Sequence, residues 1–318
     1  MKVLANDGIS QSGITLLEQN GFEVITTKVA QNQLENYINN HRIDAILVRS
    51  ATQVRQELID ACPSLKLIGR GGVGMDNIDV EYAIDQGLHV INTPEASSQS
   101  VAELVFAHLY GMVRFLHQSN REMPLEGDTR FKTLKKTYGN GIELQGKTIG
   151  IIGFGRIGQT VAKIAIGLGM KVVAYDAYVE NAIIELSFFD GRKLTFDIEV
   201  QPLDEVLSTS DFITVHVPAQ ENYILGKTEF DKMKDGTYVI NAARGGVMDE
   251  IALVNAMEEG KIQCAGLDVF EKEPSPEIQL LMNPNLSLSP HIGAATNEAQ
   301  ERIGEELATQ IIRRLKEE

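Results

Sequence analysis

Short apolar runs alternate with helical stretches along this chain, and the alternation restarts once near the middle. Lys2-Val3-Leu4-Ala5, Phe22-Glu23-Val24-Ile25, Asp44-Ala45-Ile46-Leu47-Val48, Leu65-Lys66-Leu67-Ile68 and His89-Val90-Ile91-Asn92 read as buried strands. Nearly continuous apolar strands separated by helices indicate a parallel sheet covered on both faces. From Ser97 to about Gln118, Val101, Leu104, Val105, Leu109, Met112 and Leu116 stand near helical spacing, so one long helix is expected there. A second series follows: Thr148-Ile149-Gly150-Ile151-Ile152, Lys171-Val172-Val173-Ala174-Tyr175, Phe212-Ile213-Thr214-Val215, Tyr238-Val239-Ile240-Asn241 and Gln263-Cys264-Ala265-Gly266-Leu267. Two doubly wound units fit this better than one, and 318 residues exceed the size at which a single core keeps growing.

Two features stand outside the alternation. A last helix from about Thr296 lines up Ile303, Leu307, Ile311 and Leu315, a stripe that needs a packing partner which the pattern does not identify. Between Asp176 and Leu203, Asp190-Gly191 separates two β-rich runs and predicts a hairpin.

The pattern G-x-G-x-x-G occurs twice, at Gly69-Arg70-Gly71-Gly72-Val73-Gly74 and at Gly153-Phe154-Gly155-Arg156-Ile157-Gly158. A dinucleotide loop needs a helix start free of competing anions and an acid for the ribose hydroxyls about 20 residues on. After Gly74 come Asp76 and Asp79, and the residue at ribose distance is Asn92. Gly158 is followed by Gln159-Thr160-Val161-Ala162-Lys163, and Asp176 ends the next strand. The Gly153 loop is therefore the expected pyrophosphate site, and Asp176 favours NAD by repelling the extra phosphate of NADP. The Gly69 loop reads as a tight turn whose amides and Arg70 suit a substrate carboxylate.

Ligands of open α/β sheets bind beyond the carboxyl ends of the strands. Arg244, Asp268, Glu271, Glu273 and His291 stand there, with His216 as a rival. Removing a hydride from an alcohol carbon requires a base for the hydroxyl proton, for which histidine is suited. A neighbouring carboxylate would fix its tautomer, and an arginine fork would hold a carboxylate in two-point geometry. Spacing alone chooses neither between His216 and His291 nor between Glu271 and Glu273. His41, His89, His108 and His117 do not cluster and are expected to be structural.

Composition narrows the partners. A formal charge of -15 opposes binding to nucleic acid or anionic membranes, so a small anionic substrate needs a local basic cluster. The N-terminus lacks the apolar stretch of a signal peptide or membrane helix, and a cytoplasmic protein is expected. Cys62 and Cys264 show no metal-type spacing; buried thiols and no metal site are expected.

At these residues the chain resembles the D-isomer-specific 2-hydroxyacid dehydrogenases. The resemblance covers nearly the whole sequence, including Val48-Arg49-Ser50-Ala51-Thr52, Gly74-Met75-Asp76-Asn77-Ile78-Asp79, Asn92-Thr93-Pro94, the Gly153 loop, Asn241-Ala242-Ala243-Arg244-Gly245-Gly246, Asp268-Val269-Phe270-Glu271-Lys272-Glu273-Pro274 and Pro290-His291-Ile292-Gly293-Ala294. It implies a catalytic Arg244, Glu273 and His291, with His216 in the pocket wall. It implies a Rossmann NAD-binding domain, residues 98–289, inserted into a flavodoxin-like substrate domain, residues 1–97 plus 290–318, which receives the last helix. A homodimer or higher homo-oligomer is expected. Cofactor contacts are implied for Gly153, Gly155, Arg156, Ile157, Gly158, Asp176, Ala242, Ala243, Arg244, Asp268, His291, Gly293 and Ala294. Substrate contacts are implied for Arg49, Ser50, Arg70, Gly71, Gly72, Arg244 and His291, with Lys135 and Lys136 offered across a dimer interface.

The expected reaction is NAD-dependent oxidation of 3-phospho-D-glycerate to 3-phosphohydroxypyruvate, the first step of serine biosynthesis. Hydroxypyruvate or glyoxylate reduction is the rival chemistry. An NAD-sensing corepressor-like binding protein is the rival of another class, against which the retained triad argues. The sequence departs from its relatives at Val73 and Val217, which replace polar cofactor contacts, and at the hairpin, which looks inserted. With no regulatory domain after Glu318, serine feedback through such a domain is not expected.

Overall fold

The computed structural model describes residues 1–317, which form two compact units: Met1–Ser98 with the chain from Ala294 on, and Gln99–Gly293. In the first, β1 (Lys2–Ala5), α1 (Gln11–Gln19), β2 (Glu23–Ile25), α2 (Leu34–His41), β3 (Ala45–Val48), α3 (Gln56–Ala61), β4 (Leu67–Arg70), α4 (Val80–Asp85) and β5 (His89–Asn92) alternate as the apolar runs predict. The strands form one parallel sheet in the order β2-β1-β3-β4-β5. Successive side chains of a strand point to opposite faces. Leu4, Ile46 and Ile68 accordingly enter one core, and Val3, Ala5, Leu47 and Leu67 the other.

The second unit carries α5 (Ser98–Val113), α6 (Leu116–Glu126), α7 (Phe131–Thr137), β6 (Thr148–Ile152), α8 (Arg156–Gly167), β7 (Lys171–Tyr175), β8 (Asn181–Ser187), β9 (Lys193–Glu199), α9 (Leu203–Thr209), β10 (Phe212–Val215), α10 (Lys227–Lys232), β11 (Thr237–Asn241), α11 (Glu250–Glu258), β12 (Ile262–Leu267), α12 (Ile278–Leu281) and β13 (Leu286–Leu288). Its parallel sheet runs β13-β12-β11-β10-β6-β7. Phe212 and Ile151 pack on one face, and Ile213, Val215 and Ile152 on the other. The strand order reverses between β6 and β10, where open sheets bind ligands.

The helix expected from Ser97 to Gln118 is broken. Phe115 takes a left-handed φ of 55° and starts α6, so the apolar spacing continues across a turn that periodicity does not reveal. The hairpin expected between Asp176 and Leu203 is present: β8 and β9 pair antiparallel from Asn181↔Glu199 to Ser187↔Lys193.

The last helix, α13 (Asn297–Ile312), belongs to the first unit and is capped by Thr296, whose hydroxyl accepts from Ala299 N at 3.2 Å. Ile303, Leu307 and Ile311 bury their stripe beside Val3 and Leu47. Gly13 on α1 and Gly304 on α13 let these helices touch, since a Cβ on Gly13 would stand 2.7 Å from Gly304 O. Among the described residues no helix is long and apolar enough to cross a membrane.

Candidate active site

The two glycine loops differ in what occupies them. At the end of β6, Gly153 has φ 92°, and a Cβ there would stand 2.5 Å from His216 O at the end of β10. A Cβ on Gly158 would strike Gly153 O, so the third glycine permits close packing of α8 on its strand. Nothing lies within 4 Å of the corresponding point on Gly155, the N-cap of α8. A turn glycine, a glycine facing open space and a packing glycine at a helix start form the cradle a pyrophosphate requires.

Asp176, just past β7, accepts from Phe154 N at 2.6 Å through one oxygen, and from Tyr178 N and Val179 N at 2.8 and 3.1 Å through the other. It thereby ties the second strand end to the loop. A carboxylate offers about four lone-pair sites, so acceptor capacity remains for ribose hydroxyls. These residues fit a bound NAD.

The Gly69 loop is filled by its own chain. A Cβ on Gly72, at φ 141°, would strike the Arg70 guanidinium, and one on Gly71 would lie 3.7 Å from Arg49 Cγ. β3 and β4 pair Val48 with Arg70, so Arg49 and Arg70 leave the carboxyl ends of adjacent strands and flank one glycine turn. Ser50 beside them is exposed. Burial draws the Arg49 guanidinium down from its ordinary pKa, opposed by Asp7. No helix starts at this loop: α4 begins only at Val80, and Asp79 pairs with Arg55 at 2.9 Å.

In the second unit, His291 follows β13 with φ 55°, and its Nδ1 lies 2.8 Å from Glu273 Oε2. A carboxylate only accepts, so Nδ1 donates, and in the neutral ring this is the tautomer that leaves the Nε2 lone pair free. Glu273 is itself held, its Oε1 accepting from Phe270 N at 3.1 Å. Glu271 is turned elsewhere: its Oε1 accepts from Glu250 N at 3.3 Å, while Glu250 Oε1 accepts from Glu271 N at 2.8 Å. Burial pushes the Glu250 carboxyl above its usual range, opposed by the hydrogen bond from Glu271 N and reinforced by the Glu271 charge.

Arg244, after β11, is steadied by Asn241, whose amide donates to Arg244 O at 2.9 Å and accepts from Ala243 N at 3.0 Å. Ala242 and Ala243 in this turn are buried. A Cβ on Gly245 would strike Phe270 O, so the loop bearing Arg244 lies against the loop bearing Glu273.

Asp268 has a larger structural part than its strand-end position suggested. Only 1% exposed, it accepts from Ser289 Oγ at 2.6 Å and from Ile292 N and Gly293 N, both at 2.8 Å, while Asp268 O accepts from His291 N at 2.8 Å. One buried carboxylate thus shapes the turn that carries His291. Behind it, His108 touches Ser287 Oγ at 2.8 Å and Ser289 Oγ at 2.9 Å. Nothing in the sequence pairs His108 with residues so distant along the chain.

His216 is unsuited to acid–base work. Its Nε2 meets Thr214 Oγ1 at 3.0 Å, its Nδ1 is sealed without a hydrogen-bond partner among the described residues, and burial lowers its pKa to about 3. Lys135 and Lys136 are exposed in the last turn of α7 rather than on a strand-end loop. Ala294 O accepts from Gln300 Nε2 at 2.7 Å at the entry to α13. Cys62 and Cys264 are buried free thiols, each pushed by burial to about 11.

Residues 106–293 match the family described as D-isomer specific 2-hydroxyacid dehydrogenase, NAD binding domain. The chain is 42% identical over 316 residues to a D-3-phosphoglycerate dehydrogenase of Archaeoglobus fulgidus, covering 98% of this chain and 57% of that protein. It thus spans little more than half the length of this relative. It is 40% identical over 320 residues to a hydroxypyruvate reductase of Thermotoga maritima, covering 99% of this chain and 98% of the relative. Its fold matches the crystal structure of a glyoxylate reductase from Paecilomyes thermophila with TM-score 0.81 and 30% identity, over 100% of this chain and 96% of that one. A nucleotide cradle on β6 and a His–Glu pair beyond β12 and β13 agree with these matches, and the chain belongs to the D-isomer specific 2-hydroxyacid dehydrogenase family.

Proposed function

We propose that the protein oxidises 3-phospho-D-glycerate at its second carbon to 3-phosphohydroxypyruvate, with NAD as cofactor. The observation that carries the substrate choice is the pair Arg49 and Arg70 leaving neighbouring strand ends beside the Gly71-Gly72 turn in a chain of formal charge -15. Two guanidiniums at neighbouring strand ends match the anionic groups of a phosphorylated hydroxy acid, because the planar fork binds carboxylate and phosphate through paired hydrogen bonds.

In this reading Arg244 orients the substrate carboxylate. His291 Nε2 takes the proton of the second-carbon hydroxyl, and Glu273 holds the imidazole in the tautomer that can do so. NAD, when bound, supplies the acceptor for the hydride that leaves the same carbon. Lys135 and Lys136 extend the basic cluster in a homodimer, and the free thiols suit the reducing cytoplasm.

A second reading, hydroxypyruvate reduction, is favoured by the Thermotoga maritima relative, which this chain matches over nearly its whole length. Turnover of 3-phosphoglycerate and glycerate with NAD, and of phosphohydroxypyruvate and hydroxypyruvate with NADH, separates the two. The phosphorylated pair should be preferred, and R49Q should raise KM for that pair alone. Equal use of both pairs would remove the phosphate from the proposal.

A further inference from the structure

The hairpin leaves one edge of β9 unpaired. Val200 N donates to Glu180 O at 2.9 Å, and Phe188 N to Arg192 O at 2.8 Å. Backbone groups of successive residues alternate in direction along an antiparallel ladder. The even-numbered residues of β9 therefore aim their N–H and C=O groups at β8, and Lys193, Thr195 and Asp197 aim theirs the other way. Among the described residues no strand pairs on that side along residues 193–197: β8 and β9 form a two-stranded sheet, and β7 comes alongside only toward the C-terminal end of β9, near the bridge between Ala174 and Val200. All five residues are exposed.

The side chains along this edge complement their own copy. Leu194 and Phe196, 54% and 36% exposed, continue the apolar face that Ala182, Ile184 and Leu186 begin on β8. Lys193, Thr195 and Asp197 occupy the opposite face. If two copies meet antiparallel about Thr195, Leu194 of each faces Phe196 of the other, Lys193 faces Asp197, and Thr195 faces Thr195. Each of these is a favourable cross-strand pair, and the open backbone groups of all three outward residues are satisfied. A two-stranded hairpin is marginal alone, and an exposed edge with apolar side chains is a template for pairing.

We propose that the β9 edges of two copies of this chain pair antiparallel about Thr195, joining two hairpins into a four-stranded sheet. The contact is small and therefore concentration-dependent. It is independent of the reaction and of any other contact that holds copies together.

Sedimentation velocity on the full chain over a range of concentrations tests it. The native protein should show a step that doubles the mass of the assembly. K193E and D197K should each weaken that step by about tenfold or more, because each places like charges opposite one another twice. D197K does so without touching the Lys193–Glu185 ion pair inside the hairpin, at 2.8 Å. An equimolar mixture of the two variants restores opposite charges at every position and should restore the step. Unchanged thermal midpoints would show that the variants remain folded. The proposal is overturned if the native protein shows no such step, if neither variant moves it, or if the mixture associates no better than its components. The last two are the results expected when the edge takes a different strand.

Discussion

Glu273 meets His291 Nδ1 through Oε2 at 2.8 Å while its other oxygen takes the Phe270 amide at 3.1 Å. The backbone thus fixes the carboxylate before the imidazole adds to it. Glutamine cannot accept at both positions, since its NH2 group would face either the Phe270 N–H or the donating Nδ1. A positioned general base contributes roughly 10²- to 10⁴-fold. H291Q should lower kcat within that range and E273Q by less, as steady-state kinetics at saturating substrate and cofactor reads. Because the two act as one unit, the double variant should be no slower than H291Q. An additive loss would mean that Glu273 acts independently of the imidazole.

Asp176 closes the end of β7 onto the glycine loop through Phe154 N at 2.6 Å. D176N keeps the size, removes the charge and turns a donor toward one of these amides. Hydrogen bonds to charged groups contribute about 1.5–3 kcal/mol, so NADH should bind roughly tenfold or more weakly. NADPH binding should suffer less, because the carboxylate that opposes its extra phosphate is gone. Fluorescence titration with both cofactors reads the difference, and an equal loss for both would leave Asp176 only its loop-closing part.

The strands and their grouping were legible because buried parallel strands are written as local apolar runs, as in Thr148–Ile152 and Phe212–Val215. The glycine loop was legible for a similar reason, since each glycine answers a backbone demand at a fixed offset. The break at Phe115 was not, because one left-handed residue interrupts a helix without disturbing its apolar spacing. Nor was the shaping of the His291 turn. Asp268, Ser289 and His108 meet only after β12, β13 and α5 have packed, and residue type carries no information about such distant partners.

His216 should make the fold acid-sensitive. Burial lowers its pKa to about 3, whereas an unfolded histidine titrates near 6.5. Between those values the unfolded chain holds a proton at this residue that the folded chain does not, so stability falls as pH drops below about 6.5. The slope is about 1.4 kcal/mol per pH unit. Burial also lowers the His108 pKa, which acts in the same direction. H216Q removes one contribution: the stability advantage of the native protein over H216Q should shrink by about 2 kcal/mol between pH 7 and pH 5. Urea unfolding at the two pH values measures it. A difference that does not move with pH would show that the folded protein accepts a proton at His216.

His108 connects the helix that opens the nucleotide unit to the turn that carries His291. Ser289 Oγ must donate to Asp268, which as a carboxylate only accepts, so His108 Nε2 donates to Ser289. With its pKa lowered by burial, against the opposing effect of Asp268, the ring is neutral, so Nδ1 accepts from the Ser287 hydroxyl. One tautomer satisfies both serines. H108L would strand the Ser287 hydroxyl without an acceptor and leave Ser289 with one partner fewer, at a cost of about 1–3 kcal/mol. It should also lower kcat more than it raises KM, because the turn that Asp268 shapes would lose one of its anchors. G266A should give a milder form of the same change, since a Cβ there would press on His108 Cβ at 3.0 Å. Urea unfolding and steady-state kinetics on both variants measure the two effects. A destabilised H108L with native kcat would confine His108 to packing and detach it from the position of His291.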